Sequence, residues 1–395
     1  MERLNSITQP KNANYVKIVS GCEIRQVFPK FTFRYTTREC LTAEIGYCRQ
    51  PAGYELNLYH LIKCRLRYAD DFRGFDDFKY TFHDSLRFAV SVLFGIVDES
   101  MENTSLKPLK FAFFGTPSIA VIVLDELKQA GYVPSLVVTN PDALVGRKQI
   151  LTPPPAKVWA TENNVPVIQP TSLRDAATLP ELTNTSWDLI IVAAYGKLIP
   201  AWLLDLPQHG VLNVHPSLLP ALRGASPIRS AILQNIRETG VTIMKLDAEL
   251  DHGPIIAQLP ANIPVEHWPV AGSILDEGLA HQGGALLAKI LPDWIAGTLV
   301  ATEQNHKYAT FCTKIDKSMS QLDIDPSNLP TGTIALEYLC KIRAFDGWPE
   351  TFFIHDGKRI KIKNATLAAD NTLIITRIVP EGKNEMDWEQ YFSNH

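Results

Sequence analysis

The chain has 395 residues, which at about 150 residues per domain points to two or three folded units. It is 46% hydrophobic and 20% charged, and its 38 basic against 42 acidic residues give a net charge of −4, so no global positive field is available for binding nucleic acid. No apolar run approaches the ~20 residues of a membrane span, Met1 is followed by polar residues, and six cysteines lack any Cys-x-x-Cys pair, which excludes a disulfide scaffold and a zinc knuckle. A cytoplasmic, multi-domain α/β protein is expected.

Residues 1–100 hold 16 of the 36 aromatics and four of the six cysteines, but none of the seven tryptophans. Neither a 2.0 nor a 3.6 period persists there, so the apolar residues do not assemble on one face. Residues 1–105 are an extension of unknown role with two readings open. One is an accessory domain; the other is a disordered or non-native stretch upstream of a start at Met101.

From Leu109 the pattern becomes regular. Leu109–Phe114 is an apolar strand ending at Gly115, and Pro117 opens a helix that stops at Gly131. Strands are expected at Val133–Thr139, Val165–Ile168, Leu189–Tyr195 and Val211–His215, with helices at Pro155–Asn163 and Ala225–Asn235. Uninterrupted apolar runs alternating with helices predict buried parallel strands in a doubly wound, mostly parallel sheet. Val241–Leu246 and Ile255–Pro260 follow as strands, and Gly272–Gly297 as a long helix or a helix pair. Residues 106–305 thus make one domain, and the polar stretch 306–330 reads as a linker. In 331–395, a helix (Thr333–Ala344) and short strands around Phe352, Ile360 and Ile374 predict a small C-terminal β-barrel.

Gly115-Thr116-Pro117 occupies the place of a phosphate loop, yet neither G-x-G-x-x-G nor a P-loop is present, which disfavours a dinucleotide or triphosphate. Alternation along the strand puts Asn213 and His215 on one side and Val214 on the other. Ligands in open α/β sheets bind beyond the carboxyl ends of the strands, and Asp251 follows a later apolar strand in a turn closed by Gly253. An amide and a protonated imidazole can bind a developing oxyanion, while a carboxylate holds the imidazole and accepts a proton. That set suffices for acyl transfer to an amine. The 16-residue stretch Asn140–Pro155 reads as a long loop, either functional or disordered, with Arg147 and Lys148 near its middle as a phosphate grip or a solvated basic pair. On a strand, Arg359, Lys361 and Lys363 share one face opposite Ile360 and Ile362. Such a face suits either phosphate-backbone contact or the protection of an exposed edge.

Gly115-Thr116-Pro117, Gly146-Arg147-Lys148, Asn213-Val214-His215-Pro216-Ser217-Leu218-Leu219-Pro220, Arg223-Gly224-Ala225-Ser226-Pro227, Glu238-Thr239-Gly240-Val241-Thr242 and Leu250-Asp251-His252-Gly253-Pro254 together resemble the methionyl-tRNA formyltransferases. The Asn-x-His, Ser-Leu-Leu-Pro and Asp set marks formyltetrahydrofolate-using transferases generally. The Gly146-Arg147-Lys148 stretch and the tail Ile342-Arg343-Ala344-Phe345, Trp348-Pro349 and Pro380-Glu381-Gly382-Lys383 narrow it.

The resemblance implies a formyltransferase-like fold and an OB-like C-terminal domain. It implies transfer of a formyl group from 10-formyltetrahydrofolate to the amine of initiator methionyl-tRNA, for translation initiation. Asn213, His215 and Asp251 would be catalytic, Ser217, Leu218, Leu219 and Pro220 would bind folate, and Val192, Ala194 and Leu198 would lie near the pterin. Arg147, Lys148, Arg359, Lys361 and Lys363 would contact tRNA. No metal and no membrane are implied, and a monomer is expected. Three departures from the family pattern stand out: Asp142-Ala143-Leu144 for Asp-Arg-Pro, His252 for threonine, and Ser318-Met319 for Glu-Asp. The alternatives are a formyltransferase for a small amine, such as glycinamide ribonucleotide or an amino sugar nucleotide, and a catalytically impaired folate-binding relative.

Overall fold

A computed structural model describes residues 109–393 other than Arg147, together with seven residues ahead of them. The chain divides into two compact units, Met1–Ser105 and Leu106–His395. In the first, the described strands β1 (Lys17–Val19), β2 (Glu23–Ile24) and β3 (Ala43–Glu44) form an antiparallel sheet with β1 central. The expectations for the rest of residues 1–105 lie outside the described residues.

The second unit begins with β4 (Phe111–Phe114), fully buried along its length. Phe111 and Phe113 enter one core, whereas Ala112 and Phe114 enter another. A strand buried on both faces has no polar positions, which is why it reads as a continuous apolar run. β4 leads into α1 (Ser118–Gln129), β5 (Leu136–Val138), α2 (Pro155–Glu162) and β8 (Val167–Ile168). Further on come α3 (Pro180–Thr183), β9 (Leu189–Val192), α4 (Ala201–Leu204) and β10 (Val211–His215). After them lie α5 (Pro227–Leu233), β12 (Gly240–Lys245), β13 (Ile255–Pro260) and α6 (Gly272–Ile295).

Seven strands form one sheet in the order β13-β12-β10-β9-β4-β5-β8. The five from β8 to β10 are parallel, and β12 and β13 are antiparallel additions. The chain moves from β4 outward to β8 and then returns to β9 on the other side of β4. The direction of winding therefore reverses between β4 and β9, where open α/β sheets form their clefts. Pairing puts Phe114, Val192 and Asn213 at one level across the three strands.

Helix α6 covers β10 and α1 at close range. A Cβ at Gly283 would fall 2.5 Å from Val214 Cγ1, and one at Gly284 would fall 2.6 Å from Glu126 Cβ. Two adjacent glycines are what allow the helix that near.

Residues 140–155 are not the irregular loop expected. They carry a two-stranded hairpin, β6 (Ala143–Val145) and β7 (Ile150–Thr152), with Leu144 opposite Leu151 and Val145 opposite Ile150. All four of these apolar side chains are exposed. Exposure of both faces removes the alternation that would have marked a strand.

The stretch 306–330 is stitched to the sheet domain. Its strand β14 (Phe311–Cys312) pairs in parallel with β11 (Arg223–Gly224), and Ile315 is buried in the main core. Then α7 (Gly332–Ala344) precedes an antiparallel sheet of β15 (Phe352–His355), β16 (Lys358–Leu367), β17 (Leu373–Pro380) and β18 (Met386–Asp387), in that order, closed by α8 (Trp388–Phe392). This sheet has its own core around Phe353, Ile360 and Ile378, while Ala344 and Phe345 belong to the main one. No helix among the described residues is long and apolar enough to cross a membrane.

Candidate active site

A cavity of about 780 Å³ opens where the winding reverses, within the size range of small-molecule sites. Residues 192–199 after β9 form one wall, and Asn213, His215 and Pro216 at the end of β10 form another. Asp251 enters from the turn between β12 and β13, and Lys314 and Trp348 reach in from later segments. The trio predicted from the sequence thus shares one cavity. Val192, Ala194 and Leu198 line it as well.

His215 is 3% exposed. Its Nε2 lies 3.1 Å from the Leu222 carbonyl oxygen. A carbonyl only accepts, so Nε2 carries the hydrogen and Nδ1 has the free lone pair. Nδ1 lies 3.7 Å from Asp251 Oδ1, and Asp251 Oδ2 accepts from the Gly224 N–H at 2.8 Å. Burial pushes the His215 pKa below its ordinary value, although Asp251 and the Leu222 contact pull it upward. Burial thus favours the neutral ring, whereas the residue types alone point to a protonated one. Desolvation outweighs one carboxylate at that distance.

Ala194, Leu222 and Asp251 have φ of 50°, 59° and 46°. Left-handed backbone in residues with a Cβ costs on the order of 1–3 kcal/mol each and gathers at functional sites. Tyr195 lines the cavity too, and its buried hydroxyl has no hydrogen-bond partner among the described residues.

Ser217, Leu218, Leu219 and Pro220 follow β10 but are not among the cavity-lining residues. The Thr242 hydroxyl donates to the Ser217 carbonyl (2.7 Å) and accepts from the Leu219 N–H (3.1 Å), while Gln258 Nε2 donates to the Leu219 carbonyl (2.8 Å). The segment is fastened to β12 and β13, and Pro216 is its point of contact with the cavity. His252, the family departure, has Nδ1 2.6 Å from Asp247 Oδ2 and stacks on His306 with ring centroids 4.0 Å apart.

Lys148 sits exposed in the hairpin turn, and Arg147 lies outside the described residues. Arg359, Lys361 and Lys363 do occur on one strand, β16. That strand lies between β15 and β17, so it has no edge to protect. Both lysines pair with Glu350, Lys363 at 2.7 Å, and the Arg359 guanidinium covers the Phe352 ring at 3.7 Å.

The profile of the formyl transferase family matches residues 109–280. The methionyl-tRNA formyltransferase of Listeria innocua is 38% identical over 307 residues, spanning 72% of this chain and 95% of its own length. The chain belongs to the methionyl-tRNA formyltransferases. A second member, from Halalkalibacterium halodurans, is 40% identical over 254 residues, 64% of this chain and 77% of that one. Among solved structures, a HypX variant from Aquifex aeolicus superposes with a TM-score of 0.50 at 16% identity, over 72% of this chain and 47% of its own, a likeness of fold alone.

Two residues of this formyltransferase site escaped the sequence. Gln304 and Arg223 are buried polar side chains that tie the Asp251 turn to β11. Arg223 belongs to a quoted motif, but nothing marks Gln304, which lies in a stretch without periodicity.

Proposed function

We propose that this formyltransferase moves the formyl group of 10-formyltetrahydrofolate to the α-amine of initiator methionyl-tRNA by direct attack. The convergence of Asn213, His215 and Asp251 on one cavity, in a chain homologous to methionyl-tRNA formyltransferases along nearly their full length, carries this reading. The wall from Val192 to Ile199, apolar but for Lys197 and for the Tyr195 hydroxyl that has no partner among the described residues, fits a flat, partly polar donor.

The residues then divide the work. The Asn213 amide donates to the formyl oxygen as it takes negative charge in the tetrahedral stage. The new N–C bond makes the attacking amine more acidic, and its proton passes to the free Nδ1 of His215. The ring becomes cationic opposite Asp251, which stabilises it where water cannot. The proton is then available to the departing nitrogen of the donor as the old C–N bond breaks. Ser217 to Pro220 act by fixing Pro216 and the end of β10. Lys148, Arg147 and the β16 cations hold the tRNA backbone through sequence-independent contacts.

The deciding experiment compares formyl transfer to charged initiator tRNA with transfer to glycinamide ribonucleotide and to an amino sugar nucleotide. Turnover on the tRNA alone is expected. Preference for either small amine would overturn the assignment.

A further inference from the structure

Gln304 is 4% exposed and its amide is fully used. Nε2 donates to the backbone carbonyls of Asp251 (2.9 Å) and Gly253 (2.7 Å). Oε1 accepts from Arg223 Nε (3.2 Å) and from a terminal guanidinium nitrogen (2.7 Å). A guanidinium has no acceptor, so Arg223 dictates which end of the amide faces the carbonyls. Arg223 is itself buried, and the same terminal nitrogen lies 2.8 Å from His306 Nδ1. One residue further, the Gly224 N–H donates to the Asp251 carboxylate. One residue back, the Leu222 carbonyl accepts from His215.

Three consecutive residues, Leu222, Arg223 and Gly224, therefore address both members of the His215–Asp251 pair. Gln304 links Arg223 to the backbone of Asp251, which closes a hydrogen-bonded ring. Asp251 is in the left-handed region at φ 46°, a conformation that persists in a residue with a Cβ only where its surroundings over-determine it.

We propose that Gln304 is a positioning residue for formyl transfer, holding the Asp251 backbone in its left-handed state so that the carboxylate faces His215, with Arg223 setting the orientation of the amide. The proposal rests on the function argued above. Gln304 touches neither substrate; it acts through Asp251.

Gln304→Glu keeps the volume and the Arg223 pairing but turns an acceptor towards the two carbonyls. Gln304→Met keeps the length and removes every hydrogen bond. Both are expected to lower kcat roughly tenfold or more, as small misplacements at a reacting centre do. KM for the folate donor and for the tRNA should stay within about twofold. In an Asp251→Asn background, neither change should lower kcat further, because the geometry it protects no longer matters. Unaltered kcat, an equal loss in the Asp251→Asn background, or loss of folding in both variants would each overturn the proposal. If the unaltered protein fails to formylate initiator methionyl-tRNA, the functional reading itself falls. A parent that formylates, beside variants that behave like it, removes only the role of Gln304.

Discussion

His215 Nδ1 and Asp251 Oδ1 are 3.7 Å apart, close enough for charge to be felt and too far for a direct hydrogen bond. The other ring nitrogen is committed to Leu222. Burial favours the neutral imidazole, while the neighbouring Asp251 favours the ring's charged form. In the mechanism proposed above the charged ring forms only during the reaction, which is where stabilisation raises turnover.

Removing any member of the trio should therefore lower kcat by about 10²–10³, the usual loss for one preorganised oxyanion donor or its equivalent. We expect this of Asn213→Ala, His215→Ala and Asp251→Ala, each with native circular dichroism. Activity within about tenfold of the parent in all three would remove the mechanism.

The pH dependence has a definite sign. Burial lowers the folded pKa of His215 beneath its ordinary value of 6.5, so the unfolded chain takes up the proton first as pH falls. Stability should be fully present above about pH 6.5 and decline below it, through the window down to the folded pKa. Asp251→Asn removes the carboxylate that pulls this pKa up, so the acid limb of kcat should move to lower pH. Titration of kcat in both proteins measures it, and an acid limb moving upward would contradict the assignment.

On β16 the cations Arg359, Lys361 and Lys363 are not equivalent. Glu350 offsets Lys361 and Lys363, while the Arg359 guanidinium is stacked on Phe352. Arg359→Ala should reduce the salt slope of tRNA binding by about one unit, the value of one phosphate contact. Lys361→Ala or Lys363→Ala should reduce it less. Glu350→Gln should steepen it. Equal slopes in all four variants would take this strand out of the tRNA interface.

Gly283→Ala tests the approach of α6 to β10. The added methyl meets Val214 Cγ1 at 2.5 Å, and overpacking of this kind costs about 1–3 kcal/mol. A Tm lower by several degrees is expected. Because Val214 lies between Asn213 and His215, kcat should fall too if the strand yields, and hold if the helix does.

Much of the sheet was legible because burial on both faces leaves an unmistakable composition: β10 occupies the span its apolar run predicts. The hairpin of β6 and β7 was not, since Leu144, Val145, Ile150 and Leu151 are all exposed and no alternation survives. Asn213 and His215 could be placed side by side from strand geometry, but Asp251 reaches them through a turn whose path depends on Gln304, 53 residues away. Such a long-range hydrogen bond leaves no trace in local pattern. The lysines of β16 were visible, whereas their partner Glu350 needed the sheet.

Trp348 lines the cavity although it belongs to a segment beyond α7, and β14 locks onto the strand that orients His215 and Asp251. Domains fold from the amino end during synthesis, at about 5–20 residues per second. A nascent chain could complete its seven-stranded sheet by Pro260 while its substrate chamber still lacked a wall. Catalytic competence should thus arrive late in synthesis, and prematurely terminated chains should hold the sheet without holding the activity.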